Sequence, residues 1–211
     1  MKLKRIDGFA GPVDIEISNL PTGFSIPGPL FIEAGQHRAT AVLMAAAGAA
    51  PPSEADAKKV KVTAKAVVNG KEVLHELGDL GTLKLDRVPK LNIVIVPENE
   101  PLESEGLPVL TVPAGQTVKC RLEVDRKDHQ GVIGFGHEEA AWNLPHGMYV
   151  DNIGLNGVLM LANENEREVF ITCEPWVKSQ QRPIFFEAGI DGRPASSSVM
   201  RAFTSRSYSR S

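Results

Sequence analysis

Three histidines lie close enough along the chain to suggest a metal site. They are His129, His137 and His146, and Glu138 and Glu139 directly follow the second of them. Imidazole and carboxylate groups are common zinc ligands, but they bind at short, regular spacings. The segment starting at His137 reads HEEAA, so it lacks the second histidine of a His-Glu-x-x-His motif. Solvated loop side chains explain this group better, and no metal or other cofactor is predicted.

An acidic stretch provides the other candidate for cation binding. Glu98, Glu100, Glu103 and Glu105 fall within eight positions of the chain. Calcium binds to carboxylate oxygens. A stretch of this composition is more often a solvated, flexible loop. The loop interpretation is favoured, and calcium binding stays an open alternative.

No motif of an enzyme active site is present in the sequence. A Gly-x-Ser-x-Gly nucleophile turn does not occur. The glycines of GVIGFG, residues 131–136, match neither common phosphate-binding pattern, and no helix follows to receive a phosphate. A closely packed or bulged strand explains them better. The chain is therefore predicted not to be an enzyme.

Three large aromatic side chains could bind a ligand. Trp142, Tyr149 and Trp176 would form a stacking platform for sugar rings if they were exposed together. Tryptophan is, however, highly buried on average in folded proteins. Burial is favoured for Trp142, and the sugar platform is kept as the alternative for the set.

The two cysteines could form a disulfide or remain free. Cys120 and Cys173 both lie on the apolar phase of their strands. Antiparallel pairing of the two strands would place Cys173 near residues 117–118 rather than opposite Cys120. A disulfide requires Cα atoms within about 7 Å. Two buried free thiols are favoured over a bridge.

The residues around these candidates alternate with period two. Apolar and polar side chains alternate in 13–17, 60–68 and 118–124, which predicts strands. The segments VNGK, 68–71, and IDGR, 190–193, predict two-residue hairpin turns. Residues 45–59 contain helix formers interrupted by glycine and proline, and are interpreted as a loop. The pattern predicts an all-β protein made of immunoglobulin-type β-sandwiches.

A motif of the form Asn-Leu-Pro-x-Gly occurs twice, 124 positions apart. In each copy, Pro presets φ for a turn, Gly supplies a positive φ, and Leu can close the end of a sandwich core. Downstream, 37–47 parallels 167–175, and 59–71 parallels 182–193. The repeat predicts two related domains in tandem. The motif residues are Asn19, Leu20, Pro21 and Gly23, then Asn143, Leu144, Pro145 and Gly147.

Residues 5–23 resemble immunoglobulin-like repeats of large secreted bacterial proteins, which often stand near pre-peptidase C-terminal domains. The second copy departs from this pattern at 129–142. The resemblance implies a non-catalytic spacer, adhesion or accessory module at the cell surface or outside the cell. Its partners would be other domains of a larger protein, a polysaccharide or a cell-surface protein. The alternative is a carbohydrate-binding β-sandwich that uses the exposed aromatics.

The domain limits predicted from the repeat are 1–90 and 91–204, with a disordered tail at 205–211. The first copy begins near the end of the equivalent second strand, so about two dozen residues have no counterpart and domain 1 is expected to lack its N-terminal strands. No export signal and no apolar run of about 18 residues are visible, so no membrane span is predicted. A net charge of −3 over 211 residues gives no basic field to attract nucleic acid.

Overall fold

Alternating apolar side chains form strands throughout the chain, and the all-β prediction is confirmed. The computed structural model describes residues 1–85, 90–98, 103–104, 106–137, 140–191 and 193–205. The chain divides into two compact units, Met1–Arg87 (unit 1) and Val88–Ser211 (unit 2). Just before the domain limit predicted at residue 90, residues 86–89 lie outside the described residues.

Unit 1 contains a four-stranded antiparallel sheet in the order β3-β1-β5-β6 and a two-stranded sheet β2-β4. Its small core includes Val13, Ile15, Ile32 and Val62. The elements are β1 (Val13–Ser18), β2 (Phe24–Ser25), β3 (Leu30–Ile32), β4 (Met44–Ala45), α1 (Glu54–Ala57), β5 (Lys61–Val68) and β6 (Lys71–Gly78).

Local sequence determines two features of unit 1. Asn69 and Gly70 have φ values of 50° and 77°, and they join β5 to β6 with Val68 opposite Lys71. The predicted hairpin is therefore present. The loop predicted for 45–59 is wrong at residues 54–57, which form α1. Ser53 caps this short helix, because its side chain accepts a hydrogen bond from the Asp56 amide at 3.1 Å.

Unit 2 contains a four-stranded sheet, β13-β15-β10-β7, and a seven-stranded sheet, β14-β11-β16-β17-β9-β8 with β12 also paired to β16. β9 pairs with β17 in parallel, and the other pairs are antiparallel. The strands are β7 (Leu91–Pro97), β8 (Glu103–Ser104), β9 (Leu107–Pro113), β10 (Thr117–Arg126), β11 (Ile133–Gly136), β12 (Ala141–Trp142), β13 (Met148–Asp151), β14 (Val158–Met160), β15 (Glu166–Cys173), β16 (Gln180–Ile190) and β17 (Arg193–Ser205).

One continuous apolar cluster fills the space between the inner faces of these two sheets. Leu122 and Ile171 come from the four-stranded sheet, and Phe186 and Met200 from the seven-stranded sheet. All four side chains are fully buried. Unit 2 is therefore a β-sandwich, with most of its stability arising from this apolar burial.

Two segment boundaries of unit 2 differ from the sequence-based expectation. The strand predicted at 118–124 is longer in the structure, where it forms β10, and Gly115, with φ 79°, turns the chain from β9 in one sheet to β10 in the other. Ser205, assigned to a disordered tail, is the last residue of β17 and lies opposite Pro113. The rest of the predicted tail, 206–211, lies outside the described residues.

Candidate functional site

The second Asn-Leu-Pro-x-Gly segment carries the chain from one sheet of unit 2 to the other. It leaves β12 in the seven-stranded sheet and enters β13 in the four-stranded sheet. Asn143 and Gly147 have φ values of 61° and 90°, and the Met148 amide donates to the Pro145 carbonyl at 2.9 Å. Leu144 packs against the core. The segment is thus a corner, held by turn residues at each end.

A second turn, formed by residues 174–177, packs against this corner. The Glu174 amide donates to the Gly147 carbonyl at 2.9 Å, and the Val177 amide donates to the Glu174 carbonyl at 3.1 Å. The Trp176 ring lies so close to Gly147 that a Cβ at position 147 would be 2.5 Å from its Cη2 atom. Gly147 is therefore required both by its positive φ and by the ring above it.

The first segment has the same backbone conformation between β1 and β2. Asn19 and Gly23 have φ values of 58° and 83°, and the amide after Gly23 donates to the Pro21 carbonyl at 3.0 Å. The Ala46 amide donates to the Gly23 carbonyl at 2.8 Å, and the Ala49 amide donates to the Ala46 carbonyl at 3.0 Å. This corner also links strands of two sheets, and its Leu20 is half-buried.

An arginine ties loops together in unit 2. The Arg126 guanidinium donates to the carbonyls of Gly131 at 2.7 Å, Leu161 at 2.6 Å and Glu164 at 2.9 Å. Its Nε also lies 3.2 Å from Asn165 Oδ1. Because Arg presents five donors in a rigid fork, one side chain can bind several carbonyls at once. We call this arrangement the arginine clamp.

Unit 1 has an equivalent arginine clamp. Arg5 donates to the carbonyls of Gly11 at 2.6 Å, Glu33 at 2.8 Å and Gln36 at 2.8 Å. Neither arginine was assigned this role from the sequence. The available signal was an arginine followed by a glycine five or six positions later in both copies.

The three candidate aromatics do not share one face. Trp142 stacks on Phe185 with ring centroids 6.1 Å apart, and it lies in the seven-stranded sheet, half-buried. Tyr149 lies in the four-stranded sheet. Trp176 is 58% exposed and contacts His146, with ring centroids 5.2 Å apart. Trp176 is therefore the aromatic of this set that is best placed to meet a large ligand.

Both cysteines are buried free thiols in neighbouring strands. Cys120 lies opposite Val169, while the Cys173 amide donates to the Gln116 carbonyl at 3.0 Å. This register is one position from the predicted one. Burial raises the pKa of Cys120 to about 12, and burial likewise raises the pKa of Cys173. Since the thiolate is the reactive form, burial is expected to slow the reactions of both thiols in the folded protein.

We expect Cys120 and Cys173 to react with a thiol reagent at pH 8 at least about 100-fold more slowly in the native chain than in the unfolded chain, because few are thiolates and neither is accessible. Absorbance after addition of Ellman's reagent measures the rates. Leu155→Cys supplies the control, since Leu155 is 98% exposed. Native cysteines that react as fast as the thiol introduced at 155 would contradict the expectation.

The histidines predicted as possible ligands do not converge. His129 Nε2 lies 3.2 Å from the Val132 carbonyl, while His146 lies against Trp176. Glu138 and Glu139 lie outside the described residues. Within the part of the chain that the structure describes, no three His, Cys, Asp or Glu residues are close enough to hold a metal ion.

The acidic stretch contributes to an open groove of about 660 Å³ in unit 2. Lys119 lines this groove and forms ion pairs with Glu98 at 2.8 Å and Glu168 at 2.9 Å. Hydrogen bonds to Glu98 and then to Glu168 raise the pKa of Lys119. The Glu98 carboxylate is thus already paired with the Lys119 ammonium group. Glu100, Glu105 and the Glu103 side chain lie outside the described residues.

Comparison with known protein families and with curated proteins gives no match for this chain. Among the described residues, no helix is long and apolar enough to span a membrane.

Proposed function

We propose that this chain is a non-catalytic structural and interaction module, built from two related immunoglobulin-like sandwich units, of a secreted or cell-surface bacterial protein. The observation that carries the proposal is the pairing of corner and arginine clamp in both units. These features hold loops and sheets in place, and none of them presents a reactive group. The resemblance of residues 5–23 to repeats of secreted bacterial proteins supports the cellular location.

Strand pairing supports the relationship between the units. β2 pairs with β4 so that Phe24 lies opposite Ala45, and β13 pairs with β15 so that Met148 lies opposite Cys173. Met148 lies 124 positions after Phe24, and Cys173 lies 128 positions after Ala45. The Asn-Leu-Pro-x-Gly corner precedes both β2 and β13. In unit 1, β1 pairs with β3 and β5. At the equivalent place in unit 2, β11 pairs with β14 and β16, and β12 pairs with β16. A duplicated domain explains this agreement across separate elements.

The module would act as a spacer and as a support for loops, and not as a catalyst. Tandem sandwiches set a distance between neighbouring domains and present loops at their ends. The partners would be other domains of a larger protein, and a polysaccharide or a cell-surface protein could be bound through the loops. No nucleic-acid role is proposed for this acidic chain.

Protease treatment of intact bacteria tests the proposed location. We expect external protease to digest this protein in the cells that encode it, or the protein to be recovered from the medium, as measured by immunoblot. A cytoplasmic protein monitored on the same blot must stay intact. Digestion only after cell lysis would contradict the proposal.

A carbohydrate-binding module is the second candidate, and the exposure of Trp176 favours it. Exposed aromatic rings provide the stacking surface that sugars need. Because Trp142 lies in the other sheet, such a site would centre on Trp176 with His146 and Tyr149 near the same corner. Electrophoresis in polysaccharide-containing gels, with Trp176→Ala as the matched variant, distinguishes this candidate from the first.

A further inference from the structure

A pocket of about 200 Å³ lies on the outer face of the seven-stranded sheet of unit 2. Phe186 and Ala188 of β16 are buried in the core, so Glu187 and Gly189 lie on the opposite face, because side chains alternate along a strand. Trp142 pairs with Phe185 and shares this outer face. The residues of the lining that matter most here are Gly134, Gly136, Trp142, Glu187, Gly189 and Arg193.

Two glycines on neighbouring strands open this pocket. Gly134 of β11 lies opposite Gly189 of β16, and neither has a positive φ. A Cβ at Gly134 would lie 3.6 Å from Leu159 Cδ2, and a Cβ at Gly189 would lie 3.4 Å from the Gly134 carbonyl oxygen, which are ordinary contacts. Backbone conformation and packing therefore do not require glycine at either position. The missing side chains leave space on the sheet near Trp142, where a ligand can approach the backbone closely.

Three side chains of different chemistry line the pocket. The Trp142 ring is held by stacking on Phe185, with the two ring planes 7° apart. Glu187 supplies carboxylate acceptors and Arg193 supplies guanidinium donors. Among the described residues, no ion pair joins Glu187 to Arg193. The pocket thus combines an aromatic ring with acceptors and donors, and the charges of its described lining residues sum to zero.

We propose that this pocket binds one pyranose ring of a saccharide. The C–H face of the sugar would pack against Trp142, while its hydroxyl groups would donate to Glu187 and accept from Arg193. An anion would meet the charge of Glu187 and a cation that of Arg193, so a neutral polyol fits best. The volume of about 200 Å³ is below the roughly 300–1,000 Å³ of pockets for drug-sized ligands, which limits the occupant to a single ring. The site goes beyond the structural role proposed above, and Trp176 lies outside it.

Amide NMR spectra of the full chain, recorded during titration with single sugars, test the proposal. The probes are methyl glucopyranoside, methyl galactopyranoside, methyl mannopyranoside and the methyl glycoside of N-acetylglucosamine. We expect at least one probe to shift the Gly134 and Gly189 amides with a Kd in the millimolar range, because a single ring makes few contacts. Glu187→Ala should raise this Kd at least about ten-fold, since charge-assisted hydrogen bonds are lost. Gly134→Ala should also raise it, because the new methyl group fills part of the pocket while the fold accepts alanine there.

Trp176→Ala is the control, and its Kd for the same sugar should equal that of the native chain. The proposal is overturned if no probe shifts the Gly134 and Gly189 amides, or if affinity survives in both pocket variants. Loss of binding in Trp176→Ala would overturn it as well, by placing the sugar at the corner. A larger response to glycylglycine than to every sugar would make a zwitterion the ligand and also contradict the proposal. None of these results affects the protease experiment, so the site and the cellular location fail separately.

Discussion

Replacing Gly147 with Ala is expected to lower the free energy of unfolding of unit 2 by about 3 kcal/mol. Gly147 has φ 90°, a conformation that side chains with Cβ rarely adopt. The added Cβ would also lie 2.5 Å from Trp176 Cη2 and 2.7 Å from Val177 Cγ2. Urea unfolding measured by tryptophan fluorescence reports this unit, because Trp142 and Trp176 are the only tryptophans of the chain.

Gly154→Ala separates the two contributions to that effect. Gly154 has φ 70°, and a Cβ added at this position would meet no atom within 4 Å. Its replacement should reduce stability by about 1 kcal/mol, the effect of backbone conformation alone. Adding Trp176→Ala to Gly147→Ala should recover part of the loss. Equal losses at Gly147 and Gly154 would show that contact with Trp176 does not matter.

Replacing Arg126 with Met should also reduce the stability of unit 2 by about 3 kcal/mol, because hydrogen bonds from a charged donor contribute about 1.5–3 kcal/mol and several are lost together. The carbonyls of Gly131, Leu161 and Glu164 would lose their donor. Methionine keeps much of the apolar stem, so the change removes chiefly the fork of donors. The same fluorescence-monitored urea titration measures the difference.

Arg121→Met is the control for Arg126→Met. Arg121 is also in β10, but it is exposed and makes ion pairs with Glu123 and Glu166. Surface pairs of this kind contribute at most about 1 kcal/mol, so we expect little change. If the two variants are equally stable, the arginine clamp is not important for unit 2.

Features specified by neighbouring residues were predictable from the sequence. Alternation located the strands around Val13 and Leu122, and the Asn69-Gly70 pair identified a hairpin. The corners were predictable because proline fixes φ and glycine permits a positive φ wherever they occur. These effects act over a few neighbouring residues, so the features that they specify can be predicted from one sequence alone.

Features that depend on distant partners were not predictable. Residues 37–47 were matched to 167–175, which lie largely in β15. Within 37–47, only Met44–Ala45 form a strand, because their partner β2 is short and no longer strand lies beside them among the described residues. The contact of Trp176 with Gly147 joins residues on different elements. The arginine clamp likewise needs loops brought together from up to 38 positions away. Tertiary neighbours decide all three.

The arginine clamp has a consequence for how these loops can evolve. Arg126 and Arg5 bind mainly main-chain carbonyls, which every amino acid possesses. At corresponding clamp positions, one unit has Leu161 and Glu164 while the other has Glu33 and Gln36. The side chains of a clamped loop can therefore diversify while its backbone stays fixed. Such loops are suitable places for new binding specificities to arise, by natural variation or by directed selection.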